Sequence, residues 1–233
     1  MLLEIPSVLE LEQLEKCRQV LDGATWVDGR SSAGHLAAGA KRNQQLAAND
    51  PVAIQLGNAV LDILGNNDRF MAAALPLKIL PPMFNRYEGG NHYGSHIDNA
   101  IRHIPGSDHR VRTDISATLF LTDPQDYDGG ELVIEDTYGS HHIKLPAGHL
   151  VIYPGTSLHH VTPVSRGART SCVFWIQSLI REDAQRTILH ELDTAIQELS
   201  VPLQPASVHE AQHPSLVKLS GLYHNLVRRW SET

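Results

Sequence analysis

The chain lacks most of what would mark a secreted, membrane-spanning or nucleic-acid-binding protein. Its 233 residues contain only two cysteines, Cys17 and Cys172. They have neither metal-binding nor redox spacing, which fits a reduced, cytoplasmic setting. No stretch approaches the roughly 18 consecutive apolar residues of a bilayer span, so no membrane association is expected. The opening Met1-Leu2-Leu3-Glu4-Ile5-Pro6 lacks the basic start and apolar run of a signal peptide. Positive charge is also short. Lys and Arg number 19 against 26 Asp and Glu, a net charge of −7, so no general nucleic-acid footprint is expected. No internal repeat is evident. What is present is an ordinary globular composition, 42% hydrophobic and 19% charged, at a length that can bury a full core in one domain. The outlier is histidine, with 14 copies scattered along the chain.

Periodicity divides the chain into three stretches. Ser7 is a candidate N-cap for a helix to about Leu21, with Val8, Leu11, Leu14 and Leu21 at helical spacing and Glu10 at the capping-box position. Asp50-Pro51 opens a second helix with Ile54, Val60, Leu61 and Leu64 on its apolar face, and Gly65 ends it. Residues 31–49 read as loop or short, poorly determined structure. From about Leu75 short β-branched and aromatic runs alternate with turn signals. Strands are expected near 79–87, 93–98, 114–122, 131–135, 139–145, 149–153, 159–164 and 170–178, with turns at Asp128-Gly129-Gly130, Tyr138-Gly139 and Pro154-Gly155. That density of short strands argues for an antiparallel sandwich or jelly roll. Residues 99–112 have no periodicity and read as a long loop. Helices return over 182–199, where Pro202 and Pro205 break them, and from Pro214 to Trp230. The expected fold class is therefore α+β, mainly β, with helical additions at both ends.

One constellation carries chemistry. His96 and Asp98 are two apart, so on a strand they point to one face and can reach one ion. A second imidazole comes from His159 or its neighbour His160, which face opposite sides; register alone does not choose between them. Two histidines and a carboxylate that leave coordination positions open are the mark of non-heme Fe(II) oxygenases. Arg169 follows the turn Ser165-Arg166-Gly167-Ala168. A hairpin there would return its strand beside that of His159, with Arg169 facing in if Ser171 and Val173 share its face. A buried guanidinium needs an anionic partner and matches a carboxylate bidentately, which the distal carboxylate of a dicarboxylic keto acid would supply. Arg166, at the turn, reads as solvated. Tyr87 and Tyr93 flank Glu88-Gly89-Gly90-Asn91-His92; Tyr87 is the better placed to donate its hydroxyl to a bound carboxylate.

These residues resemble the Fe(II)/2-oxoglutarate-dependent dioxygenases of the prolyl/lysyl hydroxylase-like branch. Asn85-Arg86-Tyr87-Glu88-Gly89-Gly90 through Tyr93 to His96-Ile97-Asp98-Asn99 is similar to that branch's first metal motif. Asp128-Gly129-Gly130-Glu131-Leu132 resembles its hairpin, and Tyr153-Pro154, Ser157-Leu158-His159, Val161 and Pro163 its second metal motif. The match favours His159 over His160, since the family's ligand has Val at plus two and Pro at plus four. Over nearly its whole length the chain looks like the bacterial PKHD-type hydroxylases, some of them associated with iron uptake.

The resemblance implies a double-stranded β-helix (jelly roll) over residues 78–179, an N-terminal helical region over 1–77 that packs on it, and a C-terminal helical extension over 180–233. It implies Fe(2+) held by His96, Asp98 and His159, 2-oxoglutarate held by Arg169 with help from Tyr87, dioxygen as co-substrate, and L-ascorbate as a family-level reductant. The expected activity is hydroxylation of an unidentified peptidyl or small-molecule substrate with release of succinate and CO2. A basic segment beside the metal motif, with Arg102, His103, Arg110 and Arg112, is a candidate for substrate contact. The competing readings are a non-catalytic iron or 2-oxoglutarate sensor on the same fold, and a cupin-like hydrolase or isomerase using another divalent metal. The apolar faces of the C-terminal helices suit packing on the barrel or a homo-oligomer interface.

Overall fold

Two facing antiparallel sheets form the body of the protein. The computed structural model describes residues 1–32, 37–104, 106–201 and 213–232. In chain order the strands are β1 (Leu3–Ile5), β2 (Val27–Asp28), β3 (Lys41–Arg42), β4 (Gln44–Gln45), β5 (Pro76–Ile79), β6 (Met83–Glu88), β7 (His92–His96), β8 (Ile101–His103), β9 (Arg110–Arg112), β10 (Ile115–Phe120), β11 (Asp128–Gly129), β12 (Leu132–Asp136), β13 (Gly139–Ile143), β14 (Leu150–Pro154), β15 (His159–Val161), β16 (Val164–Arg166) and β17 (Ala168–Ser178). The helices are α1 (Leu11–Asp22), α2 (Pro51–Gly65), α3 (Asp68–Ala74), α4 (Asp183–Ser200) and α5 (Pro214–Trp230). The larger sheet runs β1-β14-β10-β17-β6-β4-β2, with β5 also on β17, and the smaller runs β13-β12-β15-β7-β3. This is a jelly-roll core with helices added at both ends, as the strand pattern predicts.

β10 and β17 lie in the middle of the larger sheet and are covered on both faces. Side chains alternate across a strand. On β17, Cys172, Phe174 and Ile176 face outward and join Phe84, Leu119, Val60, Leu64 and Phe70 in a core between sheet and helices. A second core of Tyr87, Phe120, Tyr127, Leu132, Ile134, Val151, Val161 and Val164 fills the space between the sheets. Burial of each such large side chain stabilises the fold by about 1.5–3 kcal/mol.

Several element boundaries differ from the sequence reading, each for a local reason. Ser7 is not the N-cap of α1. Its φ of 51° is left-handed rather than extended, and the helix starts after Glu10, whose N–H donates to Gln13 Oε1 at 2.9 Å. Leu11 and Ile54, expected on buried faces, are 70% and 51% exposed. Asp50 does cap α2, accepting from Val52 N at 2.8 Å with Pro51 at the first helical position. The strand expected over 79–87 is two strands, because Pro81 and Pro82 cannot donate to a ladder; Pro163 likewise separates β15 from β16. The 99–112 loop holds the hairpin β8–β9, with Arg102 paired to Val111. Within 31–49 the short structure is two strands: β3 extends the smaller sheet beside β7 and β4 extends the larger beside β6. Strands of two residues draw their order from the edge they join, so their own periodicity does not announce them. α3, capped by Asn67 on Phe70 N at 2.9 Å, was not anticipated. Pro202 and Pro205 lie outside the described residues. Among those residues no helix is long and apolar enough to cross a membrane.

Candidate metal centre and cosubstrate pocket

β7 ends at His96, and Asp98 follows two residues later. β15 lays His159 directly opposite His96 in the antiparallel pair. His96 Nε2 is 4.0 Å from Asp98 Oδ1, and His159 Nε2 is 3.7 Å from Asp98 Oδ2. One donor atom from each lies within 4.8 Å of the others. These separations are slightly wider than those of donors about 2 Å from a shared ion.

The rings are oriented by their second nitrogens. His96 Nδ1 lies 2.8 Å from Gly94 O, and His159 Nδ1 lies 3.0 Å from Ser157 O. A carbonyl only accepts, so in each ring Nδ1–H donates to it and Nε2 is turned toward Asp98. Ser116 Oγ donates to Asp98 Oδ2 at 2.6 Å. Burial, and then the neighbouring His159, hold the His96 imidazole down to about 4, so it is in its neutral, ligating form at pH 7. Tyr93 stacks on His96 with centroids 3.7 Å apart, and Tyr153 meets His159 edge-on at 5.1 Å. His160, on the other face of β15, does not line this cleft.

Arg169 reaches the same cleft from β17, but not by the hairpin anticipated. β15 pairs with β12 and β7, whereas β17 pairs with β10, β6 and β5, so the chain crosses from the smaller sheet to the larger at Gly167. A Cβ on Gly167, whose φ is 69°, would lie 2.1 Å from Asp126 O; the crossing requires glycine. Arg166 stays at the turn, half-exposed and paired with Asp128 at 2.7 Å.

The Arg169 side chain is 2% exposed. Its Nη1 donates to Ser171 Oγ at 2.8 Å, its Nε has no hydrogen-bond partner, and its plane sits 5.4 Å from the Tyr87 ring and 5.1 Å from the Phe120 ring. Among the described residues no carboxylate lies within ion-pair distance. Tyr87 is the register partner of Arg169, and burial pushes its hydroxyl up to about 12, which keeps it a donor at neutral pH.

The cleft encloses ≈ 740 Å³, its open mouth included, and contains the triad, Arg169 and Tyr87 together. It also contains Asn85, Ser116, Thr118, Tyr153, Lys41, Arg102 and Trp175, none of which was singled out for iron or 2-oxoglutarate. Of the basic segment, Arg102 lines the cleft, its guanidinium 3.9 Å from the Trp175 ring centroid. His103 borders a neighbouring groove. Arg110 is exposed, and Arg112 is bound to Asp114 at 2.6 Å and Glu232 at 2.9 Å, so neither faces the metal centre.

Comparison with known proteins agrees with this geometry. Residues 82–177 match the 2OG-Fe(II) oxygenase superfamily, and residues 183–232 match the PKHD-type hydroxylase C-terminal domain. A PKHD-type hydroxylase of Parvibaculum lavamentivorans is 59% identical over 233 residues, 100% of both chains. Another, of Pseudomonas paraeruginosa, is 55% identical over 232 residues, again 100% of both. Among solved structures, a prolyl-4-hydroxylase of Pseudomonas putida aligns with a TM-score of 0.51 at 20% identity, covering 76% of this chain and 92% of that one. A prolyl hydroxylase of Trichoplax adhaerens, in complex with a hypoxia inducible factor peptide fragment, aligns with a TM-score of 0.54 at 16% identity, covering 81% and 86%. Fold and matched segments define a 2OG-Fe(II) oxygenase. With identities above one half over its full length, the chain belongs to the PKHD-type hydroxylase family.

Membership implies an oxygenase that uses Fe(2+) and 2-oxoglutarate. The residues fit both. Two imidazoles and a carboxylate converge in a set suited to iron, and a buried guanidinium with an unpartnered Nε suits the dianion.

Proposed function

We propose that the protein hydroxylates a C–H bond of a peptidyl or small-molecule substrate, with His96, Asp98 and His159 holding Fe(II) and Arg169 holding the distal carboxylate of 2-oxoglutarate. Iron, when bound, supplies dioxygen activation coupled to oxidative decarboxylation of 2-oxoglutarate, one oxygen atom going to succinate and the other to the substrate as CO2 leaves. The protein's own part is positional. Gly94 and Ser157 carbonyls fix the imidazole tautomers, Ser116 steadies Asp98, and Tyr87 stands beside the guanidinium as a neutral donor. The aromatic walls of Tyr93 and Tyr153 keep water from the ligand rings. Ascorbate enters this reading as the reductant that returns stray ferric iron to the ferrous state, and the setting is cytoplasmic. Residues 78–179 carry the catalytic barrel; 1–77 and 180–233 brace it, and the C-terminal helices offer a homo-oligomer face.

The observation that carries the proposal is the burial of Arg169 in the same cleft as the triad, with no carboxylate within ion-pair distance among the described residues. Leaving a buried charge unpaired costs about 3–5 kcal/mol, which a bound dicarboxylate would offset. Anaerobic titration with Fe(II) and 2-oxoglutarate tests it through the weak visible metal-to-ligand charge-transfer band. The band should form in the native protein, vanish in His159→Ala, and need at least about 100-fold more 2-oxoglutarate in Arg169→Gln. An undiminished band in both variants would contradict the assignment.

A further inference from the structure

Tyr127 is a polar side chain that the chemistry assigned above leaves unused. It directly precedes Asp128-Gly129-Gly130, is 0% exposed and packs in the core between the sheets. Its place is fixed by its neighbours. Lys144 Nζ donates to the Tyr127 carbonyl at 2.7 Å and lies 4.1 Å from the ring centroid. A Cβ on Gly130 would lie 2.9 Å from Tyr127 Cε2 and 3.1 Å from Arg169 Cδ. The phenol ring and the arginine stem therefore close on the same bare Cα.

The Tyr127 hydroxyl makes no hydrogen bond to a described residue, and neither does Arg169 Nε. Burial pushes the phenol pKa up, against the pull of the guanidinium beside it, so Tyr127 keeps its proton at neutral pH. A guanidinium only donates. Whatever Arg169 gives the phenol oxygen, it offers nothing that the phenol hydrogen can bind. Glu131 and Asp123, the carboxylates whose charge also reaches Tyr127, are engaged by His142 and by Arg18, each at 2.9 Å. Arg169 itself is held at one nitrogen. Its Nη1 donates to Ser171 Oγ at 2.8 Å, which leaves the Nε–Nη2 edge, a fork that grips a carboxylate side-on. Two buried donors, Nε–H and the phenol O–H, stand together and lack an acceptor among the described residues. Such an arrangement is unfavourable unless a ligand supplies the acceptor.

We propose that the distal carboxylate of 2-oxoglutarate docks on the Nε edge of Arg169 and that one of its oxygens also accepts from the Tyr127 hydroxyl. This rests on the cosubstrate site assigned above and adds a residue to it. A keto acid that ends in a methyl group would leave both donors unmet. The test titrates anaerobic, Fe(II)-saturated protein with 2-oxoglutarate through the charge-transfer band, in the native form, in Tyr127→Phe and in Arg169→Gln. Tyr127→Phe keeps the ring and removes only the hydroxyl. It should weaken 2-oxoglutarate binding at least about tenfold, the usual worth of a hydrogen bond to a charged group. The weaker binding of 2-oxopentanoate, which has a methyl group in place of the distal carboxylate, should change by less than about twofold, because the deleted hydroxyl has no acceptor there. Ligand-free Tyr127→Phe should unfold at a urea concentration equal to or above that of the native protein, since the hydroxyl it lacks has no bond to lose; a merely structural tyrosine would lower that midpoint. Native 2-oxoglutarate affinity in Tyr127→Phe, equal weakening of both keto acids, or a lower urea midpoint in the ligand-free variant would each overturn the proposal. A native protein without the band, or native affinity in Arg169→Gln, would instead count against the cosubstrate site as a whole.

Discussion

Arg169 and Lys41 are both buried cations in one cleft, and they differ in what the sequence discloses about them. Arg169 follows a turn and shares a face with Ser171, so its inward direction is legible from strand alternation. The polar residues Asn85, Ser116 and Thr118 gave the same signal, recurring two apart or beside Tyr87 in otherwise apolar strands, but side chains of that size pass easily for ordinary strand residues. Lys41 gave none, because its two-residue strand is ordered by β7 and not by its own pattern. A buried ammonium has a thermodynamic signature. Burial, and then Arg102, lower the Lys41 pKa from 10.5 to about 8. The folded value lies below the unfolded one, so between those two pH values the unfolded chain binds more protons and stability rises with pH. Below about pH 8 the full cost is present. Lys41→Met should therefore raise the stability of metal-free protein at pH 7 by roughly 1–3 kcal/mol, and the gain should fade as pH approaches 10. Urea unfolding at several pH values reads this directly; a variant that is less stable at pH 7 would contradict it. At His159 and His160 the outcomes should diverge, with His159→Ala abolishing the iron band and His160→Ala leaving it, as absorption titration would show.

Element by element, the strands with strong alternation and the helices with capping signals were legible, and what failed did so where tertiary contact overrides local pattern. Prolines divided two expected strands. The crossing at Gly167 was mistaken for a hairpin, because a turn sequence specifies a reversal and not which sheet receives the next strand. The Asp128-Gly129-Gly130 turn shows a constraint of the same kind. Gly130 has a φ of 65°, and a Cβ there would lie 2.9 Å from Tyr127 Cε2 and 3.1 Å from Arg169 Cδ. Gly130→Ala should destabilise by about 1–3 kcal/mol and weaken 2-oxoglutarate binding through displacement of Arg169. Thermal unfolding with and without the cosubstrate would reveal both effects; a variant with native affinity would mean that the turn yields and the guanidinium does not move.

At the scale of the whole molecule, the two sheets were legible as a class of fold from strand density, while the way the ends are tied to them was not. The Met1 ammonium pairs with Asp183. Near the other end, Glu232 N–H donates to Leu179 O at 2.8 Å while its carboxylate meets Arg112 and Arg181 at 2.9 and 3.1 Å. Such contacts join residues far apart in the chain and leave no local periodicity. They are half-exposed ion pairs, so Glu232→Gln should cost no more than about 1 kcal/mol, measurable as a small shift in unfolding midpoint; a much larger loss would give the C-terminal contact a structural weight that exposed pairs do not carry. The central claim is that this fold assembles iron and 2-oxoglutarate for oxygen chemistry. The most direct test admits oxygen to protein loaded with Fe(II) and 2-oxoglutarate and counts succinate against 2-oxoglutarate consumed. Equimolar succinate, lost in His159→Ala, is the predicted result; a bound cosubstrate that persists in oxygen without succinate would make the protein a sensor and contradict the account.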